Sequence, residues 1–341
     1  MPPPYTTQTT TADLLSDYAP VIKGKVILTT GVSPNSLGGF FVQSLAQAQP
    51  ACLILAARNP EQLAQTAAAL RASTSTSTST STSPSHPTTE IRTLQIDLCS
   101  LASVRGAAAE VNEWDDLPAI DVVVNNAGIM GVPDYRLSAE GFEAHWATNH
   151  LGPFLFTNLI MPKIVAAPNP RVVVVSSDGH RLNPVRFDDW NFDEGKSYDR
   201  WRAYGQSKTA NMLFARSLAQ KLGLKCNLQA FSLHPGVIFT NLDRDVDWSV
   251  GMKELQAVDR SLGNREGWKD EFDAKNLERG AATHVYAAFD PSLKAVNGAY
   301  LVDCHVADPL VDTVKPWATS SFEAERLWRL SEKLVGQEFP Y

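Results

Sequence analysis

Short apolar, β-branched runs alternate along this chain with longer segments whose apolar residues recur at helical spacing. Residues 26–28, 52–57, 91–96, 121–124 and 171–175 read as strands. Residues 40–48, 60–71 and 100–114 read as the helices between them, the last opened by Ser100 as a cap, and a longer helical stretch covers 139–164. A helix over 279–288, a last strand over 299–302 and a helix over 322–335 close the pattern, the final one packing Leu327, Trp328, Leu330 and Leu334 on the core surface. Strands that are apolar throughout, in repeated strand–helix units, predict a parallel sheet with helices on both faces. In such an α/β, doubly wound fold the ligand site lies outside the carboxyl ends of the strands.

The pattern also divides the chain. Residues 1–20 carry Pro2, Pro3, Pro4 and a threonine cluster, which predicts a loose arm. Residues 72–89 are almost pure Ser/Thr alternation with Pro84 and Pro87, with no apolar side chain to bury, and read as a disordered insertion inside a single domain over 21–310. Residues 311–341 form a helical extension.

Composition narrows the partners. The 341 residues are 44% hydrophobic and 20% charged with a net charge of −7, which offers no general affinity for nucleic acid or anionic lipid. Cys52, Cys99, Cys226 and Cys304 show neither C-x-x-C nor metal-ligand spacing, so no metal is expected and a reduced compartment fits. The first 22 residues contain no Lys or Arg, and the most apolar long window, 151–167, is broken by Pro153, Pro162 and Lys163. A cytoplasmic protein without a membrane anchor is the expectation.

Candidate chemistry gathers at the strand ends. The first strand runs into Thr30-Gly31 and, through Asn35 and Ser36, into Leu37-Gly38-Gly39 at the head of a helix. A turn of that kind presents backbone N–H groups and the positive end of a helix to phosphate. Twenty residues beyond Gly38 stands Arg58, where a dinucleotide fold places the group that reads the ribose 2′ position; a cation there favours NADP(H) over NAD(H). Strand ends also carry Asp97, Asn125 and Ser177. Tyr204 and Lys208 are four apart on a helix, so phenol and ammonium share a face. Bringing a phenol of pKa near ~10 toward neutrality takes roughly 4 kcal/mol, and a fixed cation supplies part of it.

Taken in order, Thr30-Gly31 with Gly38, Asp97, Asn125-Asn126-Ala127-Gly128, Asn149, Ser177, Tyr204-x-x-x-Lys208 and His234-Pro235-Gly236 with Thr240 resemble the short-chain dehydrogenase/reductase family of classical type. Thr148-Asn149-His150-Leu151-Gly152 and Gly298-Ala299-Tyr300-Leu301 look like its retinol dehydrogenase-like branch and fungal relatives, although retinoids are not the expected substrate without an anchor. The resemblance implies a Rossmann-type fold of about seven parallel strands, a bound nicotinamide dinucleotide, and reduction of a small ketone or aldehyde or the reverse reaction. It implies Tyr204 as acid/base, Lys208 on the nicotinamide ribose and lowering the Tyr pKa, Ser177 on the carbonyl oxygen and Asn149 anchoring a relay water. The implied cofactor-binding set is Gly31, Ser36, Leu37, Gly38, Arg58, Asp97, Asn125, Val237 and Thr240 with Tyr204 and Lys208. Residues 241–280 would be a substrate lid, and the long helices would allow homo-oligomers. The family's usual Gly-x-x-x-Gly-x-Gly is altered here: Asn35, tolerant of left-handed backbone, stands in for glycine, and Ser36 adds a Cβ near the pyrophosphate. Two alternatives are an enoyl-type reductase, which typically separates Tyr and Lys more widely, and a catalytically silent NADP(H) sensor.

Overall fold

A computed structural model of the protein describes residues 5–76, 89–243, 246–264, 268 and 273–341. Eight strands form one sheet: β1 (Val26–Thr30), β2 (Cys52–Ala57), β3 (Glu90–Gln95), β4 (Val122–Asn125), β5 (Arg171–Val175), β6 (Gln229–His234), β7 (Tyr300–Val302) and β8 (His305–Val306). Their order is β3-β2-β1-β4-β5-β6-β7-β8; the first seven are parallel and the two-residue β8 pairs antiparallel to β7. The chain therefore turns outward in opposite directions from β1 and β4, and the crevice between their carboxyl ends is where such a sheet takes ligands.

Two helical layers cover the sheet. Helices α1 (Thr11–Ile22), α2 (Leu37–Leu45), α3 (Pro60–Thr76) and α9 (Leu277–Phe289) bury Leu14, Phe41, Leu63 and Val285 with Ile27, Val122 and Val124 of the strands. On the other face α4 (Leu101–Asn112), α5 (Gly152–Leu159), α6 (Met161–Val165), α7 (Arg200–Cys226) and α11 (Ser321–Val335) pack Val104, Phe154, Ile164, Phe214 and Trp328 against Leu28, Val123 and Val172. α8 (Trp248–Ser261) packs on α7 and the turn at 178–182, and the single turn α10 (Pro316–Thr319) packs on α7 and α11.

Three expectations change. Residues 11–20 are not a loose arm. Thr10 and Asp13 form a reciprocal capping box, worth about 0.5–2 kcal/mol for the Thr cap alone, and Leu14, Tyr18 and Ile22 give α1 a buried stripe at intervals of four. The first residues of the 72–89 insertion continue α3, where Ser73 Oγ donates to the Leu70 carbonyl at 2.8 Å; residues 77–88 lie outside the described residues. The helical stretch of 139–164 is not continuous. Gly141, at φ +84°, sits in a turn closed by Ser138, and regular structure begins with a π-helical turn at Trp146–Leu151, followed by α5 and α6 with prolines in their first turns.

α11 is strongly tied to α7. Ser320 caps it, Gly336 ends it in the left-handed conformation, and Trp328 stands 5.0 Å from Phe154 and 6.2 Å from Phe214 between ring centroids. The Ser217 hydroxyl donates to the Ala324 carbonyl at 2.9 Å. Among the described residues no helix is long and apolar enough to cross a membrane.

Candidate active site

A cleft of about 360 Å³ opens over the carboxyl ends of the strands, from Arg58 and Gln62 at one end to Tyr204, Trp248 and Trp268 at the other. Its floor at the Arg58 end is backbone. Gly31 sits at φ +75°, and a Cβ there would come within 2.7 Å of Ala127 Cα; a Cβ on Gly38 would lie 2.5 Å from Asn126 Nδ2 and 2.7 Å from the Gly31 carbonyl oxygen. These contacts let the turns after β1 and β4 meet the first turn of α2. Asn35 adopts φ +58°, the left-handed backbone for which glycine is the usual residue. Ser36 is the α2 cap: its Oγ accepts from Gly39 N at 3.0 Å and Ser33 N at 3.1 Å. The cap takes the third of the first-turn amides, leaving those of Leu37 and Gly38 as the ones the helix itself cannot satisfy.

Arg58 is exposed at the end of β2, beside the cleft; among the described residues no side chain pairs with its guanidinium. Asp97 lines the cleft at the end of β3, one carboxylate oxygen accepting from Cys99 N at 3.0 Å. Val237 and Thr240 line it beyond β6. Asn125 does not. Its amide turns into the helical layer and donates to Thr157 Oγ1 at 2.9 Å, so its side chain does not reach the cleft where the implied cofactor-binding set would place it. Its neighbour Asn126 faces the cleft instead, donating to the Thr30 carbonyl at 2.9 Å, with its oxygen 3.3 Å from His284 Nε2. Strand parity separates the two: Val122 and Val124 face the α2 side, Val123 and Asn125 the α5 side, and the turn after β4 then brings Asn126 back.

At the other end side chains do the work. Asp199 caps α7, accepting from Trp201 N and Arg202 N at 2.9 Å, and Tyr204 follows one turn later. Gly179 makes room for it, since a Cβ there would stand 2.6 Å from Tyr204 Cε1. The Tyr204 phenol and Ser177 both line the cleft wall. Burial pushes the Tyr204 pKa up to about 12, with the nearby Ser177 hydroxyl pulling the other way. The lowering anticipated from Lys208 is therefore not the net result in the protein alone: Lys208 Nζ is 5.6 Å from the Tyr204 ring centroid, and burial holds its own pKa down at about 8. Lys208 Nζ donates to the Val175 carbonyl at 3.1 Å.

Asn149 lies in the π-helical turn, a distortion frequent at functional sites. Its side chain makes three bonds within the protein: Oδ1 accepts from Ile129 N at 2.8 Å, and Nδ2 donates to the Ile129 carbonyl at 3.0 Å and to Ser207 Oγ at 2.9 Å. Ser207 Oγ in turn donates to the Tyr204 carbonyl at 2.7 Å. The Asn149 side chain thus ties the loop after β4 to the helix carrying Tyr204. His180, missed in the sequence, fixes Ser177 from behind. Its Nδ1 lies 2.8 Å from the Ser177 carbonyl and so carries the proton, and its Nε2 accepts from Lys315 N at 3.3 Å. Burial keeps it neutral, with a pKa of about 4.

The profile of the short chain dehydrogenase family matches residues 25–187. Human retinol dehydrogenase 14 is 32% identical over 317 residues, 93% of this chain and 88% of its own. A short-chain dehydrogenase/reductase of Penicillium roqueforti is 35% identical over 72% of this chain and 70% of its own. The chain belongs to the short-chain dehydrogenase/reductase family. Within it, these relatives place it in the retinol dehydrogenase-like branch. A crystal structure of an uncharacterised protein from Mycobacterium Paratuberculosis superposes with a TM-score of 0.65 at 28% identity, covering 95% of this chain and 99% of that one.

This short-chain dehydrogenase/reductase is therefore an oxidoreductase with a nicotinamide-dinucleotide fold. Over its cleft, the described part of 241–280 holds α8, capped by Asp247 and fastened by Asp259, whose carboxylate accepts from Arg181 Nε at 2.8 Å and Nη2 at 3.0 Å. The buried residues of α8 are Gly251, Leu255, Val258 and Asp259.

Proposed function

We propose that this protein is an NADP(H)-dependent carbonyl reductase, or the reverse alcohol dehydrogenase, with Tyr204 as acid/base. The observation that carries the reading is that the Tyr204 phenol and Ser177 share the cleft wall, with Lys208 on the same helix face, its Nζ 5.6 Å from the Tyr204 ring centroid. A carbonyl oxygen placed between the two hydroxyls accepts from both. In reduction Tyr204 gives its proton to that oxygen; in oxidation the phenolate takes it from the alcohol. The charge of Lys208 supports the phenolate left behind, and Asn149, through Ser207, holds the helix in place. A positioned acid of this kind contributes roughly 10²–10⁴-fold.

The residues fit a dinucleotide. Gly31 and Gly38 close the floor of the cleft, the amides of Leu37 and Gly38 at the head of α2 suit a pyrophosphate with Ser36 as cap, and Asp97 borders an adenine site. Arg58 would hold a ribose 2′-phosphate, Lys208 and Tyr204 the nicotinamide ribose, and Val237 and Thr240 the carboxamide end. When bound, the dinucleotide supplies or accepts the hydride. The complete set of Asn149, Ser177, Tyr204 and Lys208 favours an enzyme over a silent sensor.

Thermal melting with NADPH and NADH, followed by a carbonyl screen read at the NADPH absorbance, tests the proposal. Stabilisation by NADPH and its oxidation by at least one ketone or aldehyde are expected. Absence of stabilisation by either nucleotide overturns it.

A further inference from the structure

Beyond Tyr204 the cleft ends in a chamber walled by Met130, Leu182, Trp201, Trp248, Leu255 and Trp268. Two of its indoles are half-exposed and each is held from behind. Trp248 stacks on buried Trp201 at 5.8 Å and 30°, and its Nε1 donates to Asp243 at 3.2 Å. Trp268 carries the Arg181 guanidinium 5.0 Å over its ring, and its carbonyl accepts from Gln256 at 2.7 Å. Side chains fixed in this way lose little freedom when a ligand lies on them. Purely aliphatic walls would serve any apolar ligand; two fixed indoles and the Met130 thioether add attraction for π-faces.

We propose that the chamber selects carbonyl compounds carried on a flat aromatic body, with Trp248 and Trp268 as specificity-determining residues. The inference rests on the carbonyl reductase reading above. Trp201 and Tyr204 are three apart on α7 and share its face, so the aromatic body sits beside the group that handles the proton. Trp201, Trp248 and Trp268 come from separate segments, the head of α7, the head of α8 and the stretch after it, so the chamber exists only when the described lid lies against the catalytic helix.

The test compares acetophenone with cyclohexyl methyl ketone under saturating NADPH, in the wild type and in Trp248→Leu and Trp268→Leu. The difference in intrinsic reactivity cancels when the ratio of kcat/KM values is compared between proteins. Each substitution is expected to lower the aryl-to-cyclohexyl ratio about fivefold, the size of one aromatic contact. Calorimetry on the nucleotide-loaded wild type gives a second measurement that needs no variant: 1-phenylethanol is expected to bind at least about fivefold tighter than 1-cyclohexylethanol. A ratio unchanged in both variants, or equal binding of the two alcohols, overturns the inference while leaving the reductase reading in place. Nucleotide binding with neither alcohol bound and neither ketone turned over also overturns it. Failure to bind any nucleotide removes the underlying reading first.

Discussion

At the Arg58 end of the cleft the protein offers backbone: amides at the head of α2, and glycines whose missing Cβ atoms let three turns meet. At the Tyr204 end it offers side chains: Tyr204, Lys208 and Ser177 in the cleft wall, with the Asn149 amide bonded to Ser207 Oγ and to the Ile129 backbone, and Ser207 Oγ to the Tyr204 carbonyl. The difference teaches what each end tolerates. A backbone-built site depends on conformation, so Asn35 at φ +58° can occupy a glycine position. A side-chain-built site depends on particular atoms, and there the family pattern stands unaltered.

The sharpest way to break this contrast is Tyr204→Phe. Turnover should fall by about 10³-fold while NADPH affinity, measured by fluorescence titration, stays within about threefold. Retained turnover would take the chemistry away from this end. Gly38→Ala attacks the other end, because the added Cβ meets the Asn126 amide and the Gly31 carbonyl oxygen. NADPH affinity should drop at least about tenfold and stability by about 1–3 kcal/mol, as in overpacked sites, read by titration and melting.

Acidity sharpens the comparison further. Lys208 is charged below about 8 and neutral above it, while Tyr204, at about 12, keeps its proton throughout. Carbonyl reduction should therefore decline as pH rises through about 8, and Lys208→Met should remove that limb. Folding stability should move the other way. Between about 8 and the ordinary lysine value of 10.5 the unfolded chain binds the extra proton, so stability rises with pH across that window. A pH series of kinetics and denaturant melts checks both signs.

Arg58→Glu should shift the NADPH-to-NADH preference about tenfold, the scale of one charge-assisted contact; an unchanged ratio would remove Arg58 from the 2′-phosphate. The smallest effect belongs to Asn35→Gly. Relief of the left-handed conformation and added chain entropy oppose each other, so melting should show a change below about 1 kcal/mol.

Much of the site was readable because strand ends carry it. Gly31, Ser36, Leu37, Arg58, Asp97, Ser177, Tyr204, Lys208, Val237 and Thr240 all line the cleft, and Gly38 packs just behind it against Gly31 and Asn126. Asn125 was misjudged because a pair of adjacent asparagines looks symmetric until the parity of β4 is followed through its valines. β6 was not read as a strand from its own residues, since Gln229, Ser232 and His234 break the apolar run. Helix α1 escaped because prolines and threonines outweighed the Thr10–Asp13 box that starts it. The tertiary roles of His180 and Asn149 depend on partners 135 and 58 residues away, at Lys315 and Ser207, and local pattern carries no information at that range.

α11 lies on the same layer as the π-helical turn, where Ser331 Oγ meets His150 Nε2 at 2.7 Å, next to Asn149. A wall that steadies the catalytic helix is thus supplied by the same polypeptide. A covalently tethered cover experiences an effective concentration set by its linker, in the millimolar range for a short one, whatever the protein concentration. Specific activity should therefore hold constant on dilution into the nanomolar range, where a wall borrowed from a weakly bound neighbour would fall away.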